Sequence, residues 1–204
     1  MQPYKLPLVA ILRGITPPEV QDHAVSLLDA GFEMIEVPTN SPDWQQSVQV
    51  LQQHYGTRAH IGAGTVTDDE KLDQLIASGA PLMVTPNIHP LLIRRAKAAG
   101  LICCVGAMTP SEVFSALEAG ADIVKIFPAG ALGVGYIRAL ASVLPQTSQL
   151  YAVGGITPEN LADYLAAGCH GAGLGSDLYR PGQTAEETRY KAERFAAAWR
   201  RAVE

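Results

Sequence analysis

At 204 residues, 48% hydrophobic and with a formal charge of −5, the chain has apolar material for one packed domain and no basic excess to attract nucleic acid. No apolar run approaches the ~20 residues of a membrane span, and Pro3, Lys5 and Pro7 interrupt the stretch where a secretory signal would sit. Three cysteines, Cys103, Cys104 and Cys169, two of them adjacent, make a poor disulfide framework; they are expected to be small buried hydrophobes in a reducing cytoplasm.

Along the chain, short apolar and β-branched runs occupy residues 8–13, 32–38, 59–65, 82–86, 101–105, 123–127, 150–154 and 171–176. Helical periodicity follows each, as where Val20, Ala24, Leu27 and Leu28 keep one face apolar. Helix starts are marked by a capping residue and proline: Thr16-Pro17, Ser41-Pro42, Thr109-Pro110 and Thr157-Pro158. Thr16 with Glu19, Thr67 with Glu70, Thr109 with Glu112 and Thr184 with Glu187 have capping-box spacing. Stops fall at Ala30-Gly31, Tyr55-Gly56, Ser78-Gly79, Ala99-Gly100, Ala119-Gly120 and Ala167-Gly168, about every 20 to 24 residues, the period of a βα unit. Nearly continuous apolar strands alternating with amphipathic helices predict a parallel sheet covered by helices, and eight such units predict a single-domain α/β (β/α)8 TIM barrel. A doubly wound open sheet is the alternative.

In such a barrel the reactive groups lie where strands end and loops begin. The polar residues of the runs gather there: Arg13, Glu36, Thr65 and Lys125. Side chains alternate along a strand, so Glu36 shares a face with Met34, and Lys125 with Ile123 and Phe127. If Ile35, Val37, Val124 and Ile126 face the helices, an acid and an amine both point into the barrel. Of the five lysines, Lys71, Lys97 and Lys191 sit in polar helical stretches and Lys5 is near the terminus. Only Lys125 is placed to be desolvated, which lowers an amine's pKa and makes it a nucleophile. The bland readings are a lysine snorkelling to solvent and a Glu36 ion pair with Lys125 or Arg13.

Gly154-Gly155 follows the seventh run, and Gly175-Ser176 ends the eighth. Glycine loops expose backbone N–H groups, and the loops after strands seven and eight are the usual phosphate site of this fold. Gly62-Ala63-Gly64 lacks the further glycine and acid of a dinucleotide fingerprint. The five histidines show no ligand spacing, so no metal is expected. His23 and His54 are expected on helix surfaces, His60 and His170 at the opposite end of the barrel, and His89 at a helix start. Asp177 and Tyr179 would stabilise the eighth loop.

The motifs Leu12-Arg13-Gly14, Ile35-Glu36-Val37-Pro38, Gly62-Ala63-Gly64-Thr65-Val66, Val84-Thr85-Pro86-Asn87, Lys125-Ile126-Phe127-Pro128, Val153-Gly154-Gly155-Ile156 and Gly175-Ser176 appear in this order. Together they resemble the 2-dehydro-3-deoxy-phosphogluconate and phosphogalactonate aldolases over essentially the whole chain. The resemblance implies a lysine-dependent aldolase on a homotrimeric barrel, with no metal or other cofactor. Its partners would be a small phosphorylated keto sugar acid and pyruvate. Lys125 would form a Schiff base with the C2 ketone and Glu36 would shuttle protons. Arg13 and Thr65 would hold the carboxylate end, Gly154, Gly155, Gly175 and Ser176 the phosphate, and Pro86 would orient Glu36. The phosphogluconate enzymes carry an arginine four residues after the glutamate and a threonine before the paired glycines. Here those positions are Asn40 and Val153, as in the phosphogalactonate branch, and Arg13 becomes the arginine expected at the carboxylate. A phosphosugar isomerase or epimerase using Glu36 alone, and a non-catalytic phosphate-sensing barrel, are the competing readings.

Overall fold

The computed structural model describes residues 4–204. Eight parallel strands close into a barrel in chain order: β1 (Leu8–Ile11), β2 (Met34–Pro38), β3 (His60–Gly64), β4 (Leu82–Val84), β5 (Ile102–Ala107), β6 (Ile123–Ile126), β7 (Leu150–Val153) and β8 (Gly171–Leu174). The last strand pairs with the first, Leu8 opposite Ala172 and Ala10 opposite Leu174, so the open-sheet alternative is excluded. Each strand leads into a helix: α1 (Val20–Asp29), α2 (Trp44–Tyr55), α3 (Asp69–Ala77), α4 (Pro90–Ala98), α5 (Pro110–Ala119), α6 (Ala129–Ala141), α7 (Leu161–Ala166) and α8 (Ala185–Val203). The strands end before several of the expected boundaries. Arg13, Thr65 and Ser176 have therefore left the ladder, and their backbones bend into loops.

Local chemistry explains most helix ends and corrects some. Thr109 and Thr184 form reciprocal capping boxes with Glu112 and Glu187. Asp68, not Thr67, caps α3, accepting from the Lys71 N–H. The starts expected at Thr16 and Thr157 move three residues on and the one at Ser41 two, because a turn intervenes in each case. Thr16 and Asn160 then bond within their own turns, and the Ser41 hydroxyl accepts instead from the Gly14 N–H. Gly31, Gly79, Gly100, Gly120 and Gly168 have φ between +73° and +114°, the left-handed closure expected after a helix. Gly56 does not: its φ is −59°.

Strand parity divides the core into two shells. Ile35, Val37, Val124 and Ile126 join the large cluster between sheet and helices. Val9, Met34, Leu82, Val84, Cys104, Ile123 and Tyr151 form a separate plug inside the barrel. Burying a large apolar side chain contributes about 1.5–3 kcal/mol, so the plug gives the site above it a rigid floor. Tyr151 fills the centre of that floor because its neighbour on β8 has no side chain: a Cβ on Gly171 would sit 2.7 Å from the Tyr151 Cζ. The three cysteines are free and buried, and burial pushes each thiol up to about 12, in keeping with inert hydrophobes.

His23 is a correction. It is 3% exposed, not on the surface. Its Nδ1 lies 2.7 Å from the Thr188 hydroxyl of α8, and its ring packs edge-on against Tyr179 at 5.0 Å. The α1 face that carries it is covered by α8, a contact that helical periodicity does not reveal. His89 caps α4 as expected, its Nδ1 accepting from the Leu92 N–H. Among the described residues no helix is long and apolar enough to cross a membrane.

Candidate active site

The C-terminal ends of the strands surround a cavity of about 440 Å³. Its wall includes all nine residues singled out from sequence: Arg13, Glu36, Thr65, Pro86, Lys125, Gly154, Gly155, Gly175 and Ser176. They come from seven of the eight strand ends.

Glu36 and Lys125 form the base of the cavity. On β2, Glu36 lies between Ile11 of β1 and Gly62 of β3. On β6, Lys125 lies between Gly106 of β5 and Tyr151 of β7. The carboxylate is 2% exposed and its Oε2 has no protein hydrogen-bond partner. Desolvation raises the carboxyl to about 7, against the opposing pull of Lys125 and Arg13. The ammonium is 8% exposed, and desolvation lowers its pKa, with Glu36 opposing. Its Nζ stands 5.3 Å from the Phe127 ring centroid. Neither residue appears in a protein ion pair among the described residues, so the snorkelling and ion-pair readings both lose their support. In both groups desolvation outweighs the attraction of the neighbouring charges, so each is buried at a net cost. Such groups cluster where chemistry is done.

The rim is held in place by loop contacts. Arg13 donates from Nη1 to the Asn40 side-chain oxygen at 2.7 Å. Thr65 has φ +58°, a left-handed conformation that is costly for a β-branched residue. Thr39 secures that conformation: its N–H donates to the Gly64 carbonyl and its hydroxyl to the Thr65 carbonyl, each at 2.8 Å. Pro86 reaches the cavity over Gly106, where a Cβ would meet the Pro86 carbonyl carbon at 2.5 Å.

The two glycine loops follow the paired strands β7 and β8. Gly154 and Gly155 have φ of +94° and +74°, accessible to glycine and strained for other residues. The loop is pinned from both sides. Asn160 Nδ2 donates to the Gly155 carbonyl at 2.9 Å, and the Gly130 N–H donates to the Gly154 carbonyl at 2.8 Å. After β8, Gly175 and Ser176 lead into a turn whose Arg180 Nε donates to the Ser176 carbonyl at 2.8 Å. Exposed amides arranged in this way suit an anion.

Arg180 was not expected at this face from its place in the sequence. Arg13 was the arginine expected at this face, but Arg180 lines the same cavity. The available signal was its spacing of four from Ser176, just before Pro181-Gly182. Tyr179 also lines the cavity, but desolvation first and Glu19 second push its phenol up to about 12, which leaves it a packing group. Among the described residues no group of three His, Cys, Asp or Glu side chains is placed to hold a metal ion.

Residues 3–192 match the family described as "Aldolase: KDPG and KHG aldolase". The chain is 54% identical over 200 residues to the 2-dehydro-3-deoxy-6-phosphogalactonate aldolase of Escherichia coli (strain K12), covering 98% of each chain. It is 41% identical over 199 residues to a protein of Rhizobium meliloti (strain 1021) described as a probable 2-dehydro-3-deoxy-6-phosphogalactonate aldolase, covering 98% of this chain and 94% of that one. A solved structure described as "Native KDPGal structure" superposes with a TM-score of 0.98 at 53% identity, covering 100% of this chain and 98% of the other.

Proposed function

We propose that this chain, which belongs to the family of KDPG and KHG aldolases, cleaves 2-dehydro-3-deoxy-6-phospho-D-galactonate to pyruvate and D-glyceraldehyde 3-phosphate through a Schiff base on Lys125. The observation that carries the reading is the joint burial of Lys125 and Glu36 at a cavity whose lining includes two glycine loops.

Desolvation leaves a usable fraction of Lys125 as the neutral amine, which attacks the C2 ketone. Loss of water gives a protonated imine. Glu36, with a carboxyl near 7, exists in both protonation states at neutral pH. Its carboxylate takes the C4 hydroxyl proton; the C4–O electrons form the aldehyde, the C3–C4 bond breaks, and its electron pair reaches the imine nitrogen as an enamine. The aldehyde leaves. The Glu36 carboxyl then returns a proton to C3, and water releases pyruvate from the lysine. Arg13 and Thr65 hold the carboxylate end, Gly154, Gly155, Gly175 and Ser176 the phosphate, and Pro86 fixes the wall beside the base.

Relatives named for the galactonate epimer support that substrate. So does Val153, which lines the cavity with methyl groups where a threonine would present a hydroxyl. Buried free thiols fit a reducing cytoplasm. A homotrimer fits the apolar rim around Met108 and Phe127, 48% and 41% exposed, and sedimentation equilibrium reads it directly.

Borohydride reduction in the presence of pyruvate tests the chemistry. The expected product is a stable adduct of pyruvate on the peptide containing Lys125, formed equally with EDTA present. Failure to form it, with cleavage activity surviving Lys125→Met, would overturn the reading. Initial rates with the two C4 epimers test the substrate, and a preference for the gluconate epimer would overturn that part.

A further inference from the structure

We propose that Arg180 binds the phosphate of the substrate and that Gln183 is the residue that positions it; this rests on the phosphate subsite assigned above. A phosphate monoester carries a charge of about −1.5 to −2 near neutrality. The two glycine loops offer it neutral N–H groups and the Ser176 hydroxyl. Three cations line the cavity: Lys125, Arg13 and Arg180. Lys125 is committed to the imine, and Arg13 is held by Asn40 in the β2–α2 loop. Arg180 alone stands in the same loop as Gly175 and Ser176.

Its guanidinium is arranged for this task. Nε donates to the Ser176 carbonyl at 2.8 Å, which fixes the plane of the group against the glycine turn. The Nη pair is the fork that matches phosphate oxygens. Arg58, Arg95, Arg189 and Arg194 each meet a carboxylate on the protein surface. Arg180 meets none among the described residues, and neither do Arg94, Arg138, Arg200 and Arg201; of these five, Arg180 is the one that lines the cavity.

Gln183 fixes the backbone that carries it. A primary amide has two N–H donors and two acceptor lone pairs, and Gln183 uses all four. Its Nε2 donates to the Leu178 carbonyl at 2.8 Å and to the Thr188 hydroxyl at 2.6 Å. Its Oε1 accepts from the Arg180 N–H at 3.2 Å and from the Lys191 ammonium at 2.8 Å. Its own N–H returns to the Arg180 carbonyl at 3.2 Å. Thr188 is fully buried and meets His23, so the turn bearing Arg180 is tied to the packed α1–α8 interface.

The test measures aldol addition of pyruvate to D-glyceraldehyde 3-phosphate and to D-glyceraldehyde, reported as the ratio of the two kcat/KM values. The active fraction of a preparation cancels in that ratio, so partial misfolding does not move it. For Arg180→Met the ratio is expected to fall roughly 10–100-fold, the loss expected for charge-assisted hydrogen bonds, with partial recovery in Arg180→Lys. For Gln183→Ala it falls in the same direction by roughly 3–10-fold, as one pinning hydrogen bond would give. A ratio for Arg180→Met within twofold of the unmodified protein overturns the assignment of Arg180. An unchanged ratio for Gln183→Ala overturns its positioning role. A ratio near one in the unmodified protein overturns the phosphate subsite itself, and is read before any variant.

Discussion

A Cβ on Gly64 would lie 2.0 Å from Oε2 of Glu36. The carboxyl proposed as the proton shuttle thus occupies space that any other residue at the end of β3 would fill. Gly64→Ala should turn Glu36 out of that position. Borohydride trapping of pyruvate on Lys125 should persist, because the amine is untouched, while turnover falls by about 10²-fold or more. Equal trapping with unchanged turnover would show that the position of the carboxyl is not critical.

Glu36 also sets a pH dependence of stability. Its carboxyl is raised from 4.5 to about 7 by burial. Between those values the unfolded chain has released the proton and the folded chain still holds it. Stability therefore falls as pH rises through that window, by about 3 kcal/mol in all, and is level above it. Urea denaturation across the window should show this decline in the native protein and lose it in Glu36→Gln. The same variant should lose about 10²–10⁴-fold in turnover, which would place the cost of burial and the gain in rate in one side chain.

Arg13 and Asn40 should behave as a unit. With Asn40 holding one Nη of Arg13, Asn40→Ala frees the guanidinium without removing its charge. The KM for pyruvate in the addition direction should rise by roughly 3–10-fold, the range of one hydrogen bond, with a larger rise for Arg13→Met. In the double variant the two effects should not add. Additive effects would mean that Asn40 acts on the substrate independently.

Thr65 adopts φ +58°, which costs a β-branched residue about 1–2 kcal/mol. Thr65→Asn should raise the unfolding midpoint, since asparagine tolerates the left-handed region. Its longer side chain should raise KM at the carboxylate end. A stabilised variant with unaltered kinetics would reduce Thr65 to a turn residue.

The amino-acid order alone settled whatever depends on near neighbours. Period-two alternation is a local property of a strand, and it grouped Glu36 with Met34 and Lys125 with Ile123, both inward on the condition that Ile35, Val37, Val124 and Ile126 face the helices. Glycine closure at Gly31, Gly79, Gly100, Gly120 and Gly168, and the capping boxes at Thr109 and Thr184, act within one helical turn and were legible for that reason. Where a turn intervened, as after Ser41 and Thr157, the same signals misplaced the helix start. Tertiary structure decided what depends on contacts distant in sequence. His23 is buried by a residue 165 positions away, and Arg13 is held by one 27 positions away. Tyr151 fills the floor only because β8 presents Gly171 beside it. Arg180 lines the cavity from a turn that Gln183 bonds to Thr188 of α8, a helix that packs on α1. Barrel closure brings these groups together, and no spacing along the chain records which loops will meet.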